Sequence, residues 1–218
     1  MKYKNLLVLG ASGGIGRWVV KLAKEKGYNV TVVVRSAESL KEIGGINIIQ
    51  GSVLDAKVLD EAMRGQDAII SCLGIKRKKQ TNPWSELASP TNFAETVMKD
   101  TVALMNNHDL QRLVVVSSAG VGDSWGTLSP FLKSLIRFSK VRYTLNDFDR
   151  MEKVLRESDV DSLAVRPVTL VDGKPENQVR IVDRFNMSSK ITKGDVALWM
   201  LNALERESID IATEEMIG

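Results

Sequence analysis

The sequence predicts a doubly wound α/β fold, a parallel sheet with helices on both faces. Three observations carry that prediction. Short β-branched runs alternate with helix-spaced segments along almost all of the 218 residues. The runs are apolar at nearly every position, as expected of strands buried on both faces. The first of them ends in a glycine-rich turn, Gly10-Ala11-Ser12-Gly13-Gly14-Ile15-Gly16, that opens a helical segment.

The first strand is Leu6-Leu7-Val8-Leu9, and the helix after the turn has apolar residues at Ile15, Val19, Leu22 and Ala23. Further strands are expected at 29–34, 46–49, 67–71, 112–117 and 162–165, and further helices at about 55–64, 90–107, 146–158 and 193–205. Gly27 and Gly65 stand where left-handed caps would close helices. No repeat, low-complexity stretch or long linker interrupts the pattern. The expectation is one Rossmann-type domain over 1–218, with small C-terminal elements on the substrate side. Segments 74–90, 120–140 and 168–190 would be pocket-side loops or a lid, the last irregular and holding small extra strands or a lid, because ligands in such folds bind at the carboxyl edge of the sheet.

Composition excludes several classes of function. An apolar fraction of 44% and a charged fraction of 26% are those of an ordinary globular protein. No apolar run approaches the roughly 18 residues of a membrane span, and the N-terminal run is shorter than a signal-peptide core, so a cytoplasmic address is expected. A net charge of +3 does not argue for nucleic acid. Cys72 is the sole cysteine, which rules out an internal disulfide and leaves no cysteine-based metal site to expect. His108, the sole histidine, reads as a solvated cation at a helix C-terminus.

The glycine turn is the strongest functional signal. Its spacing is Gly10-x-x-Gly13-x-x-Gly16 rather than the familiar G-x-G-x-x-G. Gly10 would permit the tight turn, Gly13 a close approach to a pyrophosphate, and Gly16 close packing of helix on strand. The phosphate would then meet unpaired N–H groups at the positive end of the helix. A purely structural turn is the alternative. At the end of the second strand, where an acidic residue would select NAD, stand Arg35 and Ser36. Arg35 suits a 2′-phosphate, pointing to NADP(H), against the plainer reading of a solvated arginine. Gly74, after the fourth strand, would let backbone pass close to the cofactor or would simply make a turn.

These residues, together with Val115-Val116-Ser117-Ser118-Ala119, Met151-Glu152-Lys153-Val154-Leu155-Arg156-Glu157-Ser158, Ala164-Val165-Arg166-Pro167 and Ile191-Thr192-Lys193-Gly194-Asp195-Val196-Ala197, make the chain resemble the atypical short-chain dehydrogenase/reductases. The resemblance is to their small NAD(P)H-binding branch, which includes flavin reductase (biliverdin-IXβ reductase) and NmrA-like proteins. It implies that Ser12, Gly13, Gly14 and Ile15 meet the pyrophosphate and Arg35 the 2′-phosphate. Ser52 and Val53 would flank the adenine, and Leu73, Gly74, Ser117, Pro167 and Val168 the nicotinamide and its ribose. Ser118 matches a serine near the reacting centre and would position a substrate or relay a proton. The alternative for Ser117 and Ser118 is that their hydroxyls bond the local turn.

The chain also departs from that pattern. Thr169 stands where flavin reductase has a histidine, Ser39 where it has a second arginine, and Ser52 replaces a family aspartate. The Tyr-x-x-x-Lys pair of most short-chain dehydrogenases is missing, since Leu7, Val32 and Asp147 lie four positions after the three tyrosines. Ordinary alcohol dehydrogenase or epimerase chemistry is therefore disfavoured. The reading is an NADPH-dependent reductase acting on a planar conjugated acceptor of the flavin, quinone or tetrapyrrole class. The alternative is an NmrA-like redox sensor or regulator that binds NADP(H) without turnover. Two features stay open: Lys76-Arg77-Lys78-Lys79 either attracts an anionic substrate or is solvated, and Trp84, Trp125, Phe131 and Phe138 either floor the pocket or pack loops.

Overall fold

The computed structural model describes residues 2–185, 188–209 and 213–218. Nine strands and six α-helices lie among them. The strands are β1 (Asn5–Leu9), β2 (Asn29–Val34), β3 (Asn47–Gln50), β4 (Ala68–Ser71), β5 (Arg112–Val116), β6 (Asp161–Pro167), β7 (Thr169–Val171), β8 (Lys190–Thr192) and β9 (Thr213–Ile217). The helices are α1 (Gly14–Glu25), α2 (Ala56–Met63), α3 (Phe93–Asn107), α4 (Pro130–Arg137), α5 (Val141–Arg156) and α6 (Lys193–Leu204). Seven strands form one parallel sheet in the order β3-β2-β1-β4-β5-β6-β9, and β7 pairs with β8 in a separate parallel ribbon.

The expected Rossmann-type sheet is present, and its two cores follow from the pleat. Successive strand residues face opposite sides. Leu6, Val8, Val32, Ile70 and Val114 therefore pack with α1 and α6, while Leu7, Leu9, Val33, Ile69, Leu113 and Val115 pack with α2, α3 and α5. Gly27 (φ +89°) and Gly65 (φ +69°) take the left-handed conformation expected after α1 and α2.

Three elements differ from expectation. Residues 130–137 form α4 instead of loop, begun by a Ser129 hydroxyl that accepts from Leu132 N–H and by Pro130 in the first turn. The helix expected at 146–158 begins earlier, at Val141. The sheet gains β9 at its edge, whereas the β7–β8 ribbon matches the small extra strands expected of segment 168–190, of which residues 186 and 187 lie outside the described set.

Chain order reverses between β1 and β4, and this reversal positions the site. The two strands run side by side as far as Leu9 and Ser71, and Cys72 N–H still donates to Leu9 C=O at 2.8 Å. β1 then turns into α1 while the chain from β4 continues outward. A crevice opens at their carboxyl ends, where folds of this kind bind ligands.

Candidate functional site

Gly10 begins the crevice. Its φ of +80° is a left-handed conformation, and a Cβ there would lie 2.8 Å from the backbone of Cys72. Gly13 N–H donates to Gly10 C=O at 3.0 Å, closing the turn, and Gly13 caps α1 in extended conformation. Gly16 is buried against the same carbonyl, and an added Cβ would lie 2.2 Å from Gly10 O. The glycines thus bring the first turn of α1 down onto the end of β1. The helical N–H groups of Gly14, Ile15 and Gly16 have no carbonyl one turn earlier to meet.

Two cavities open from this point. The first is lined by Gly10, Ser12, Gly13, Arg35, Ser52, Val53, Leu73 and Gly74 among others. Among the described residues its lining carries two cations, Arg35 and Lys76, and no carboxylate. Arg35 is exposed and makes no ion pair with any described residue. Ser36 lies outside this lining and caps a short 3-10 turn, where its carbonyl accepts from the Ser39 hydroxyl at 2.7 Å.

The second cavity has a volume of about 560 Å³, within the range of small-molecule sites. It is lined by Ile15, Ser117, Ser118, Pro167, Val168 and Thr169, and it shares Cys72, Leu73, Gly74 and Lys76 with the first. Leu132, Leu135 and Ile136 of α4 and Val141, Thr144, Leu145 and Phe148 of α5 complete it, with Phe185. The structure therefore gathers nearly all of the sequence-predicted residues around one divided crevice. Gly14, Gly16 and Ser36 line neither cavity.

Gly74 has a packing reason for its missing side chain. Its φ is not left-handed, and a Cβ would approach the Phe148 ring to 2.9 Å. Burial pushes the Cys72 thiol up to about 12, which keeps it protonated at neutral pH.

The two serines differ. Ser117 is buried, and its Oγ donates to Glu152 Oε1 at 2.6 Å. Glu152 is held by Arg166, whose Nη1 also reaches the exposed carboxylate of Asp123 at 2.5 Å. Burial alone would lower Arg166, but the carboxylates of Glu152 and Asp123 outweigh it and hold the guanidinium above its ordinary value. Ser117 is thereby fixed from behind. Ser118 is partly exposed, and its Oγ donates to Ala119 C=O at 3.1 Å.

Several open readings resolve. None of Trp84, Trp125, Phe131 and Phe138 lines the second cavity. Phe131 and Phe138 are 66% and 77% exposed, because α4 turns Leu132, Leu135 and Ile136 inward and leaves Phe131 on its outer side. Trp84 packs loops, donating its indole N–H to Phe138 C=O at 3.1 Å. His108 is not a freely solvated cation. It caps α3 and bonds Asp60 of α2 at 2.9 Å, away from both cavities.

Sequence reasoning missed Lys193, Thr144 and the walls given by α4 and α5. The Lys193 stem lies over Gly14, where a Cβ would come 2.7 Å from its Cδ, and its Nζ pairs with Asp172 at 2.5 Å. A lysine opening α6 gave no hint of this, since α1 and α6 are far apart in sequence and meet only through packing. Among the described residues no cluster of three or more His, Cys, Asp or Glu could hold a metal, and no helix is long and apolar enough to cross a membrane.

A family model described as NAD(P)H-binding matches residues 10–207. The chain is 32% identical over 94 residues, 37% of its length, to the chloroplastic divinyl chlorophyllide a 8-vinyl-reductase of Arabidopsis thaliana, of which it covers 22%. It spans between 22% and 57% of the length of the curated relatives it matches. The structure of ChuY, an anaerobillin reductase of Escherichia coli O157:H7, superposes with a TM-score of 0.80 at 21% identity, covering 98% of this chain and 96% of that one. A short-chain dehydrogenase/reductase of Veillonella parvula, solved in complex with NADP, gives a TM-score of 0.75 at 16% identity, covering 99% and 94%.

Proposed function

The chain belongs to an NAD(P)H-binding family, and from that membership we propose that it is an NADPH-dependent reductase of the atypical short-chain dehydrogenase/reductase type. Its substrate is a planar conjugated acceptor of the flavin, quinone or tetrapyrrole class. The observation that carries this reading is the divided crevice. A cavity beside the glycine turn, whose charged lining residues among those described are the cations Arg35 and Lys76, meets a larger, mostly apolar one across a wall made by Cys72, Leu73 and Gly74.

The residues divide the work as follows. The first-turn N–H groups of α1 face the pyrophosphate, Arg35 takes the 2′-phosphate, and Ser52 and Val53 flank the adenine. Leu73, Gly74, Pro167 and Val168 hold the nicotinamide end at the wall between the cavities. The bound cofactor supplies the hydride. The apolar side chains of α4 and α5 exclude water and press a flat acceptor against that wall. Ser118 Oγ orients the acceptor and passes a proton to it, the proton coming from solvent. Ser117, engaged by Glu152, keeps the β5 end in place.

A conjugated acceptor delocalises the charge it receives with hydride, so the reaction needs no strong protein acid. This suits a site without a Tyr-Lys pair. The names of two proteins that this chain resembles, reductases of a chlorophyllide and of an anaerobillin, support including the tetrapyrrole class. The test is oxidation of NADPH, followed by loss of its absorbance, with FMN, a quinone and biliverdin in turn. Sustained turnover with one of them is expected. Tight NADP⁺ binding with no turnover across a broad acceptor panel would overturn the reading in favour of a non-catalytic sensor.

A further inference from the structure

The basic run Lys76-Arg77-Lys78-Lys79 is not one solvated patch. It forms one arm of a small flap whose other arm is 85–89. Lys78 N–H donates to Glu86 C=O at 2.9 Å, Ala88 N–H to Lys76 C=O at 2.7 Å, and Arg77 bridges Leu87 in antiparallel fashion. In extended chain, neighbouring side chains point to opposite faces. Lys76 and Lys78 are accordingly exposed, and Arg77 between them is partly buried. Lys78 is neutralised by Glu86 at 2.6 Å. Arg77 has no carboxylate partner among the described residues.

Arg77 lines the larger cavity and not the nucleotide cavity. Its Nη2 donates to Gln80 C=O at 2.7 Å, and its Nε is buried with no partner. Thr144 Oγ1, in the same lining, is also buried and unpartnered. Two unsatisfied polar groups in a mostly apolar wall cost stability unless something completes them. Among the described residues, the only charged ones in that lining are Lys76 and Arg77. Burial also lowers Arg77 from its ordinary value, a cost that an anion would offset.

We infer that Arg77 reads an anionic arm of the acceptor, a carboxylate or a phosphate, and so sets which planar molecules this cavity takes. Thr144 Oγ1 lies in the same wall to complete the arm's hydrogen bonds. The inference rests on the reductase reading for the identity of the cavity, but binding alone tests it.

Equilibrium binding to the NADP⁺-loaded chain is measured for two matched pairs: FMN against riboflavin, and biliverdin against its dimethyl ester. The wild type is expected to favour the anionic member of at least one pair by about tenfold, the worth of one charge-assisted hydrogen bond. In Arg77→Gln the preference should fall to about twofold or less, while Arg77→Lys, which keeps the charge but not the planar fork, falls between and the exposed control Lys79→Ala keeps most of it. Arg77→Leu replaces the Gln variant if that one fails to take up NADP⁺. A preference confined to FMN identifies a phosphate arm, and one confined to biliverdin a carboxylate arm. Equal binding within both pairs in the wild type, or a preference that survives loss of Arg77, overturns the proposal. Turnover of NADPH without an Arg77-dependent preference defeats this inference alone. The preference without turnover defeats the reductase reading alone.

Discussion

Arg166 and Glu152 form a doubly bonded ion pair behind Ser117, with Nε to Oε1 at 2.9 Å and Nη2 to Oε2 at 2.5 Å. Both are buried, at 5% and 0% side-chain exposure. One end of the pair holds Ser117 and the other reaches Asp123, so it ties α5, β6 and the end of β5 together.

Removing one member of such a pair strands the other. Glu152→Ala is expected to cost about 3–5 kcal/mol in urea unfolding, because Arg166 keeps its charge inside. Asp123→Ala should cost less than about 1 kcal/mol, since that carboxylate is 90% exposed. Equal losses in the two variants would show that burial does not govern the network.

The glycine turn separates by position. Gly16→Ala places a Cβ against backbone that cannot yield, so a loss of about 1–3 kcal/mol together with weakened NADPH binding is expected. Gly14→Ala meets only the flexible end of Lys193, and its stability should stay within about 1 kcal/mol of wild type. Thermal unfolding with and without NADP⁺ measures both.

Arg35→Ala should weaken NADPH binding by about tenfold and leave NADH binding nearly unchanged, as loss of one charge-assisted contact to a 2′-phosphate predicts. Titration of both cofactors by fluorescence decides it. Equal weakening of the two would assign Arg35 to a part of the cofactor that they share.

Acid should unfold the protein through its paired carboxylates. Glu95 is held below the ordinary 4.5 by Lys99 and Arg150, and Asp123 is lowered by Arg166. Their folded forms bind fewer protons than their unfolded forms, so their contribution is complete above the unfolded value and is lost as pH falls through the folded one. Asp147 opposes this. Burial raises it despite two N–H donors, so its contribution is present at low pH and declines as pH rises. Urea midpoints are expected to be level near neutrality and to fall below about pH 4.5, and less steeply in Glu95→Gln. An unchanged slope in that variant would remove Glu95 from the account.

The sheet was legible because its strands are covered on both faces, and a run such as Val30-Thr31-Val32-Val33-Val34 has little else to be. The glycine turn and the crevice it opens were legible because Gly10, Gly13, Gly16 and Arg35 sit at fixed places relative to those strands. The larger cavity was not. Its walls come from α4, hidden in a stretch rich in Gly, Pro and Ser although Ser129-Pro130 was a readable start signal, and from α5, whose buried Asp147 and Glu152 weaken its apolar stripe. Arg77 looked like its three basic neighbours until the flap's alternation set it apart.

Leu73 and Gly74 belong to both cavities at once. A partition with two faces makes occupancy of one chamber a variable in the affinity of the other. Any displacement of that wall by the nucleotide alters the acceptor's binding free energy, and thermodynamic reciprocity requires the acceptor to return the same amount. On the proposed reading, the two ligands of this crevice are linked through a shared strip of backbone.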